Sequence, residues 1–350
     1  MLVIIFTFAI MKLIRFLLFP VAIIYWLVTT VRNFLFDVGI LKSTSFNIPV
    51  IAVGNLSVGG TGKTPQIEYL IRLLQNNYQL AVLSRGYKRK TKGFQIVDDS
   101  FQAEDVGDEP FQYFQKFTNI RVAVDADRTQ GISLLLNEED KPEVILLDDA
   151  FQHRKVNARF YILLTKYNDL YINDFLLPTG NLREGRKGAK RADIIIVTKC
   201  PKNLSKEKQV EIASKLRVKK EQQVFFSMIS YKEILKGTKN ISVNELRDYQ
   251  VLLVTGIANP TPLLEYLQSL EVKYEHLKFP DHHHFSMNEI NEIKKKYQKL
   301  NTSQKIILTT EKDYVRLQDK VEELSYIEIE TLFIEGEESF KKEILEVVKK

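Results

Sequence analysis

Beyond Asp37 the chain alternates short, nearly continuous apolar runs with stretches in which apolar and polar positions recur at helical spacing. The runs at 50–53, 80–83, 120–124, 144–147, 160–164 and 193–197 are rich in Val, Ile and Leu and show little polar alternation. Strands of that kind are buried on both faces, so the pattern predicts an α/β fold with a doubly wound, mostly parallel sheet covered by helices. A second series at 223–226, 251–254, 305–309 and 332–334, with Pro260 and Pro262 opening a helix, predicts a smaller C-terminal α/β domain. The expected division is 37–240 for the first domain and 241–350 for the second. The Lys-rich stretch 202–220 reads as a solvated helix.

Residues 1–41 follow another pattern. An apolar run at 2–10 is followed by Lys12 and Arg15, then by a second apolar run at 16–28 before Arg32. No small-x-small site follows Trp26, which argues against a cleaved signal peptide. The second run falls short of the ~20 apolar residues of a membrane span and contains Pro20, with Tyr25 and Trp26 near one end. A helix over 1–36 lying in a membrane interface is therefore expected ahead of a single crossing or a buried core helix. Met11 resembles a natural start, which would make 1–10 an upstream extension.

Composition narrows the class. With 350 residues, two domains are expected; 45% hydrophobic and 27% charged residues exclude a disordered chain or a multi-span membrane protein. The net charge of +6 suits an anionic substrate or membrane surface, but no basic strip interleaved with aromatics supports nucleic-acid binding. Cys200 is the only cysteine, so neither an intrachain disulfide nor an all-cysteine zinc site is possible, and a reducing compartment is expected.

Candidate chemistry begins after the first strand, where Gly54-Asn-Leu-Ser57-Val-Gly59-Gly60-Thr61-Gly62-Lys63-Thr64-Pro65 leads into a helical stretch. Strand, glycine-rich turn and helix in that order form a phosphate loop: backbone N–H groups close round phosphate oxygens at the positive end of a helix. Gly59, Gly60, Thr61 and Gly62 would line it, Lys63 would reach the β- and γ-phosphates, and Thr64 would ligate Mg²⁺. Ser57 stands where the strict pattern has its first glycine. The fourth strand ends in Asp148-Asp149, which behind a phosphate loop fits a magnesium site and alone fits a solvated turn.

Three further segments follow strands or sit in turns: 84–90 with its basic run, Gly107-Asp108-Glu109-Pro110, and Asp125-Ala-Asp127-Arg128. Each also fits an ordinary solvated loop or surface ion pair. The triplet His282-His283-His284 suits proton transfer better than a metal, because consecutive side chains do not converge on one ion.

Taken in order, the segments 54–65, 84–87, 107–110, 147–153, 182–184 and 279–282 closely resemble the tetraacyldisaccharide 4'-kinase family, across nearly the whole chain. The resemblance implies an enzyme that uses ATP and Mg²⁺ to phosphorylate the 4'-hydroxyl of an acylated glucosamine disaccharide 1-phosphate, yielding lipid IVA. It further implies work at the cytoplasmic face of the bacterial inner membrane, with the lipid surface as the other partner and no nucleic acid or protein partner. Carried over by position, Lys63 and Thr64 hold phosphates and metal, and Asp148 and Asp149 complete the magnesium side. Asp108 is the implied proton acceptor, His282 orients or charges it, and Arg128 and Arg183 are the implied cations that stabilise the phosphates or the transferring group. The competing reading is a membrane-docked regulatory or chaperone-type NTPase, which would need no acceptor base outside the nucleotide motifs.

Overall fold

The computed structural model describes residues 15–349, and the chain in it divides into two compact units. The first comprises 15–85, Asn119–Ile229 and 331–349; the second comprises Gly86–Thr118 and Ser230–Glu330. Three stretches thus depart from the contiguous division expected at residue 240: Gly86–Thr118 and 230–240, which join the second unit, and 331–349, which joins the first. The expectations for 1–10, Met11 and Lys12 lie outside the described residues.

In the first unit, β1 (Val50–Asn55), β2 (Leu80–Ser84), β4 (Ile120–Val124), β5 (Val144–Asp148), β6 (Phe160–Lys166), β7 (Ile194–Thr198) and β8 (Gln223–Tyr231) run parallel in the order β8-β7-β6-β1-β5-β2-β4. The doubly wound parallel sheet is therefore present. All of β1, β2, β5 and β7 is buried, as their unbroken aliphatic runs require. Pairing of Val53 with Asp148 sets the glycine turn and the acidic pair side by side at the C-terminal edge of the sheet, where ligands of such folds collect.

The 332–334 run, expected in the smaller domain, belongs to this sheet instead, while the 223–226 run lies in the first unit, as the division at 240 has it. β8 pairs with β7, and β14 (Ile329–Phe333) lies beyond β8. The C-terminal helix α10 (Glu337–Lys349) buries Phe340, Ile344 and Val348 at spacings of four, and Phe340 packs against Tyr69, Phe225 and Phe333. That aromatic cluster returns the tail to the first unit. The 202–220 stretch holds α6 (Lys206–Leu216), capped by the Ser205 hydroxyl; it buries Gln209, Ile212 and Leu216, so it is half-packed rather than wholly solvated.

In the second unit, β11 (Tyr274–Lys278), β10 (Gln250–Thr255), β12 (Lys305–Thr310) and β13 (Leu324–Ile327) are parallel, with β9 (Lys236–Gly237) antiparallel at the edge. Successive residues feed two cores, Val251, Leu253, Ile306 and Leu308 on one face and Leu252, Val254 and Ile307 on the other. The inserted Gly86–Thr118 segment carries β3 (Gln95–Ile96), α3 (Ala103–Val106) and α4 (Asp108–Lys116). It is anchored where the Lys116 ammonium meets Glu311 at 2.7 Å and Glu328 at 3.0 Å. Helices α7 (Thr261–Ser269), α8 (Met287–Lys299) and α9 (Glu311–Leu317) complete the unit.

Ahead of β1, α1 (Phe19–Asp37) has two unlike sides. Residues 25, 29 and 33 fall on one stripe at i, i+4 spacing: the Tyr25 hydroxyl donates to the Arg183 carbonyl at 2.7 Å, Thr29 is buried, and the Asn33 amide donates to the Glu184 carboxylate at 2.7 Å. Arg15 reaches Asn181 at 3.2 Å and Arg32 the Gln152 carbonyl at 2.8 Å. The other side exposes Ile24, Val28, Val31 and Phe34, each about half to two-thirds accessible. An apolar face this long on a polar-seamed helix suits a lipid surface, and the exposed face excludes the core-helix alternative. Combining Tyr25→Phe with Asn33→Leu leaves the outer face untouched and removes two hydrogen bonds; thermal unfolding is expected to report a loss of about 1–3 kcal/mol.

Candidate active site

The glycine turn is held from both sides. Inside, the Asn55 amide donates to the Thr61 hydroxyl at 2.8 Å, and the Thr198 hydroxyl at the end of β7 donates to the Thr61 carbonyl at 2.7 Å. Outside, the Val58 N–H donates to the Asn181 carbonyl at 2.8 Å and the Arg183 N–H to the Leu56 carbonyl at 2.7 Å. Ser57 forms an antiparallel bridge with Leu182 and its φ is not positive, which explains why serine serves where the strict pattern has glycine. Gly62 takes φ 89° immediately before α2 (Lys63–Leu74), a left-handed position that a side chain would strain, and frees the helix N-terminus toward the turn. At Gly54 the constraint is space: a Cβ would lie 2.7 Å from the Phe151 Cβ and 2.9 Å from its backbone nitrogen. Gly54→Ala is expected to cost about 1–3 kcal/mol of stability by forcing β1 and the post-β5 turn apart, measurable by denaturant unfolding.

Beside the turn, Asp149 adopts φ 49° and places its carboxylate 3.5 Å from the Lys63 ammonium and 3.0 Å from Arg183 Nη1. Burial would raise its pKa, but Lys63 and Arg183 outweigh that and hold it below the ordinary range. Asp148 is buried at the strand end and accepts from the Ser84 hydroxyl at 3.2 Å. Its carbonyl receives Arg128 Nη2 at 3.4 Å. Arg128 does not lie on a loop or surface, as its segment suggested. It opens α5 (Arg128–Leu136) behind an Asp127 cap and is 3% exposed; burial lowers its pKa to about 10, and its Nε has no hydrogen-bond partner among the described residues. Lys63, Arg128 and Arg183 thus ring one acidic pair. Gln152 and Glu184 brace it, Gln152 donating to the Asn55 carbonyl at 2.8 Å and to Glu184 at 3.1 Å. His153, the last residue of that motif, is held neutral by burial and by Arg128, its pKa lowered to about 4.

The second unit holds the other cluster. The 107–110 segment was expected in a turn; Asp108, Glu109 and Pro110 instead form the first turn of α4, with Gly107 before them at φ 100°. Acidic residues and proline favour that position. The Asp108 carboxylate is buried, lies 2.8 Å from His282 Nδ1, and receives a two-pronged contact from Arg316, with Nε at 2.7 Å. Lys312 Nζ sits 2.9 Å from His282 Nε2. Burial raises the pKa of Asp108, while His282 and Arg316 lower it further, leaving it below the usual carboxylate value. Of the histidine triplet, only His282 meets Asp108. His283 pairs with Glu289 at 3.0 Å, and the His284 side chain is 61% exposed, which resolves which histidine accompanies the aspartate. Asp313, fully buried, accepts from the Gly256 N–H at 2.9 Å, and the Gly256 carbonyl accepts from the His282 N–H at 3.2 Å. Lys312, Asp313 and Arg316 were not among the sequence candidates, since nothing in the local spelling of α9 distinguishes them from a charged surface helix.

A sequence profile of the family described as tetraacyldisaccharide-1-P 4'-kinase matches residues 14–349. The chain is 58% identical over 342 residues to the tetraacyldisaccharide 4'-kinase of Flavobacterium johnsoniae, covering 97% of this chain and 98% of that one. It is 47% identical over 312 residues to the protein of the same name from Bacteroides thetaiotaomicron, covering 86% and 82% respectively. Its fold is similar to a crystal structure of an "apo" form of LpxK from Aquifex aeolicus in complex with ATP, with a TM-score of 0.77, 32% identity, and coverage of 96% of this chain and 99% of that one.

Proposed function

The chain belongs to the tetraacyldisaccharide-1-P 4'-kinase family, and from that premise we propose how its residues carry the reaction. The enzyme moves the γ-phosphoryl group of ATP onto the 4'-hydroxyl of tetraacyldisaccharide 1-phosphate, the lipid A precursor, giving lipid IVA and ADP. The bond from the γ-phosphorus to the bridging oxygen breaks, a bond to the sugar oxygen forms, and the hydroxyl proton must go to a base. Gly59, Gly60, Thr61 and Gly62 present backbone N–H groups to the phosphates, and Lys63 leaves Asp149 to meet the β- and γ-phosphate charge. Arg183, held against the same carboxylate, turns to the transferring group, and the buried Arg128 keeps positive potential under the acidic pair.

Mg²⁺ fits this donor set. Thr64, Asp148 and Asp149 offer hard oxygens, and among the described residues no group of three His, Cys, Asp or Glu could hold a metal without help. That suits an ion held by one or two carboxylates plus substrate phosphates. When bound, it would neutralise charge shared by the β- and γ-phosphates.

Asp108 accepts the proton. The observation that carries the acceptor side is its hydrogen bond to His282 at 2.8 Å: a buried, histidine-oriented carboxylate outside the nucleotide motifs, which an NTPase acting on water through its phosphate loop does not require. A carboxylate of low pKa suffices because a loose phosphoryl transfer depends on positioning more than on strong deprotonation.

The substrate's four acyl chains stay in the bilayer, since extracting them would expose tens of methylenes at about 0.8 kcal/mol each. The outer face of α1, with Arg15 and Arg32 near anionic headgroups, brings the enzyme to the cytoplasmic leaflet of the inner membrane, where ATP is available. Incubating the protein with vesicles containing the acylated disaccharide and terminally labelled ATP tests the reading. Label is expected in lipid; label confined to free phosphate overturns it.

A further inference from the structure

We infer that Lys312 and Arg316, one turn apart on α9, are positioning residues for the transfer: Lys312 fixes which imidazole nitrogen of His282 carries the proton, and Arg316 fixes where the Asp108 carboxylate points. This rests on Asp108 being the proton acceptor, and it adds what prepares that acceptor.

The tautomer follows from donor chemistry. An ammonium only donates, so at 2.9 Å from Lys312 Nζ the His282 Nε2 presents its lone pair. The ring proton is then on Nδ1 and is donated to Asp108 Oδ2 at 2.8 Å. A second proton on Nε2 would set two donors head to head. The 3.2 Å approach of Arg316 Nη2 to the same Nδ1 is the meeting of two donors on one shared acceptor oxygen. Lys312 is steadied by Asp281 at 3.5 Å and Glu109 at 3.6 Å.

Arg316 acts by shape as well as charge. Its Nε and Nη2 face the two oxygens of Asp108, while Nη1 donates to the His283 carbonyl at 2.9 Å and so sets the guanidinium plane. A planar fork met at both oxygens orients the carboxylate, which a lysine could not do. The groups facing Asp108 are His282, Arg316 and Lys312, with Asp281 and Glu109 acting through Lys312. Asp313 on the same helix holds Gly256 and through it the His282 backbone.

The full-length enzyme on substrate vesicles provides the test. Asp108 must be ionised to accept a proton, and removing a cation raises its pKa. Arg316→Met should therefore move the acid limb of kcat/KM up by about 1–3 pH units, with KM for ATP unchanged. Arg316→Lys keeps the charge without the fork; it should restore the acid limb yet leave kcat about tenfold down, as expected for a loss of aim. Selective ¹⁵N-histidine spectra, assigned with His282→Gln, should show a single Nδ1–H form for His282 that is lost in Lys312→Met. An unmoved acid limb in Arg316→Met, or wild-type kcat in Arg316→Lys should the methionine variant not fold, overturns the role of Arg316. An unchanged ¹⁵N pattern in Lys312→Met overturns that of Lys312. Retained activity in Asp108→Asn would instead overturn the acceptor assignment beneath both.

Discussion

Asp108→Asn is expected to reduce turnover of the acylated disaccharide by about 10²- to 10⁴-fold, the usual contribution of a positioned general base, with ATP affinity retained. The substitution keeps the side chain's size and its place in the first turn of α4, yet it removes the negative charge and replaces one of the two acceptor oxygens that Arg316 and His282 use with an NH₂ donor. Arg316, whose side chain is only 8% exposed, then loses its counter-charge, and breaking a buried pair in this way costs about 3–5 kcal/mol. The variant must therefore be assayed well below its melting temperature, with circular dichroism confirming the fold. Under those conditions single-turnover phosphorylation of lipid should collapse while nucleotide binding by fluorescence persists. Near-normal lipid phosphorylation would move the base elsewhere.

Lys63→Met is the second large effect. In the structure Lys63 is only loosely paired with Asp149, at 3.5 Å, and Asp149 retains Arg183 at 3.0 Å, so folding should survive the change. What is lost is a charge aimed at the β- and γ-phosphates as negative charge redistributes between them. Removing one preorganised electrostatic contact of this type costs about 10²- to 10³-fold in kcat. Unlike Asp108→Asn, Lys63→Met should also weaken ATP binding, because the ammonium meets the phosphates in the ground state as well. A rapid-quench time course with a parallel ATP titration separates the two. Loss of lipid phosphorylation with no change in ATP affinity would show that Lys63 acts elsewhere than at the phosphates.

The parts of the site that could be read from sequence were those spelled locally. The glycine turn, Lys63, Thr64 and the Asp148-Asp149 pair lie on one strand, one turn and its neighbour, and unbroken aliphatic runs on either side declare the sheet edge. Arg128 was recognisable as a residue but not as a buried one, because burial depends on α5 packing over β2, not on its neighbours in the chain. Arg316 was beyond reach: it meets Asp108 across a sequence separation of 208, and a helix reading Glu-Lys-Asp-Tyr-Val-Arg looks like solvated surface until its partner is known. The domain division failed for a related reason. Phe340 and Phe333 are ordinary apolar residues in sequence, and only their edge-to-face packing against Tyr69 and Phe225 shows which core they complete. Ser57 illustrates the converse, a departure from the motif made harmless by a bridge to Leu182 that sequence does not reveal.

The strip Asn181–Leu182–Arg183–Glu184 touches α1 on one side and the glycine turn on the other, through Tyr25 and Asn33 in one direction and Leu56 and Val58 in the other. Movement of the outer helix would therefore bear on the turn proposed to hold the triphosphate. Solubilising agents that crowd the apolar flank would act as rate modulators, and kinetic constants gathered in different micelles would not be interchangeable even for the water-soluble reactant.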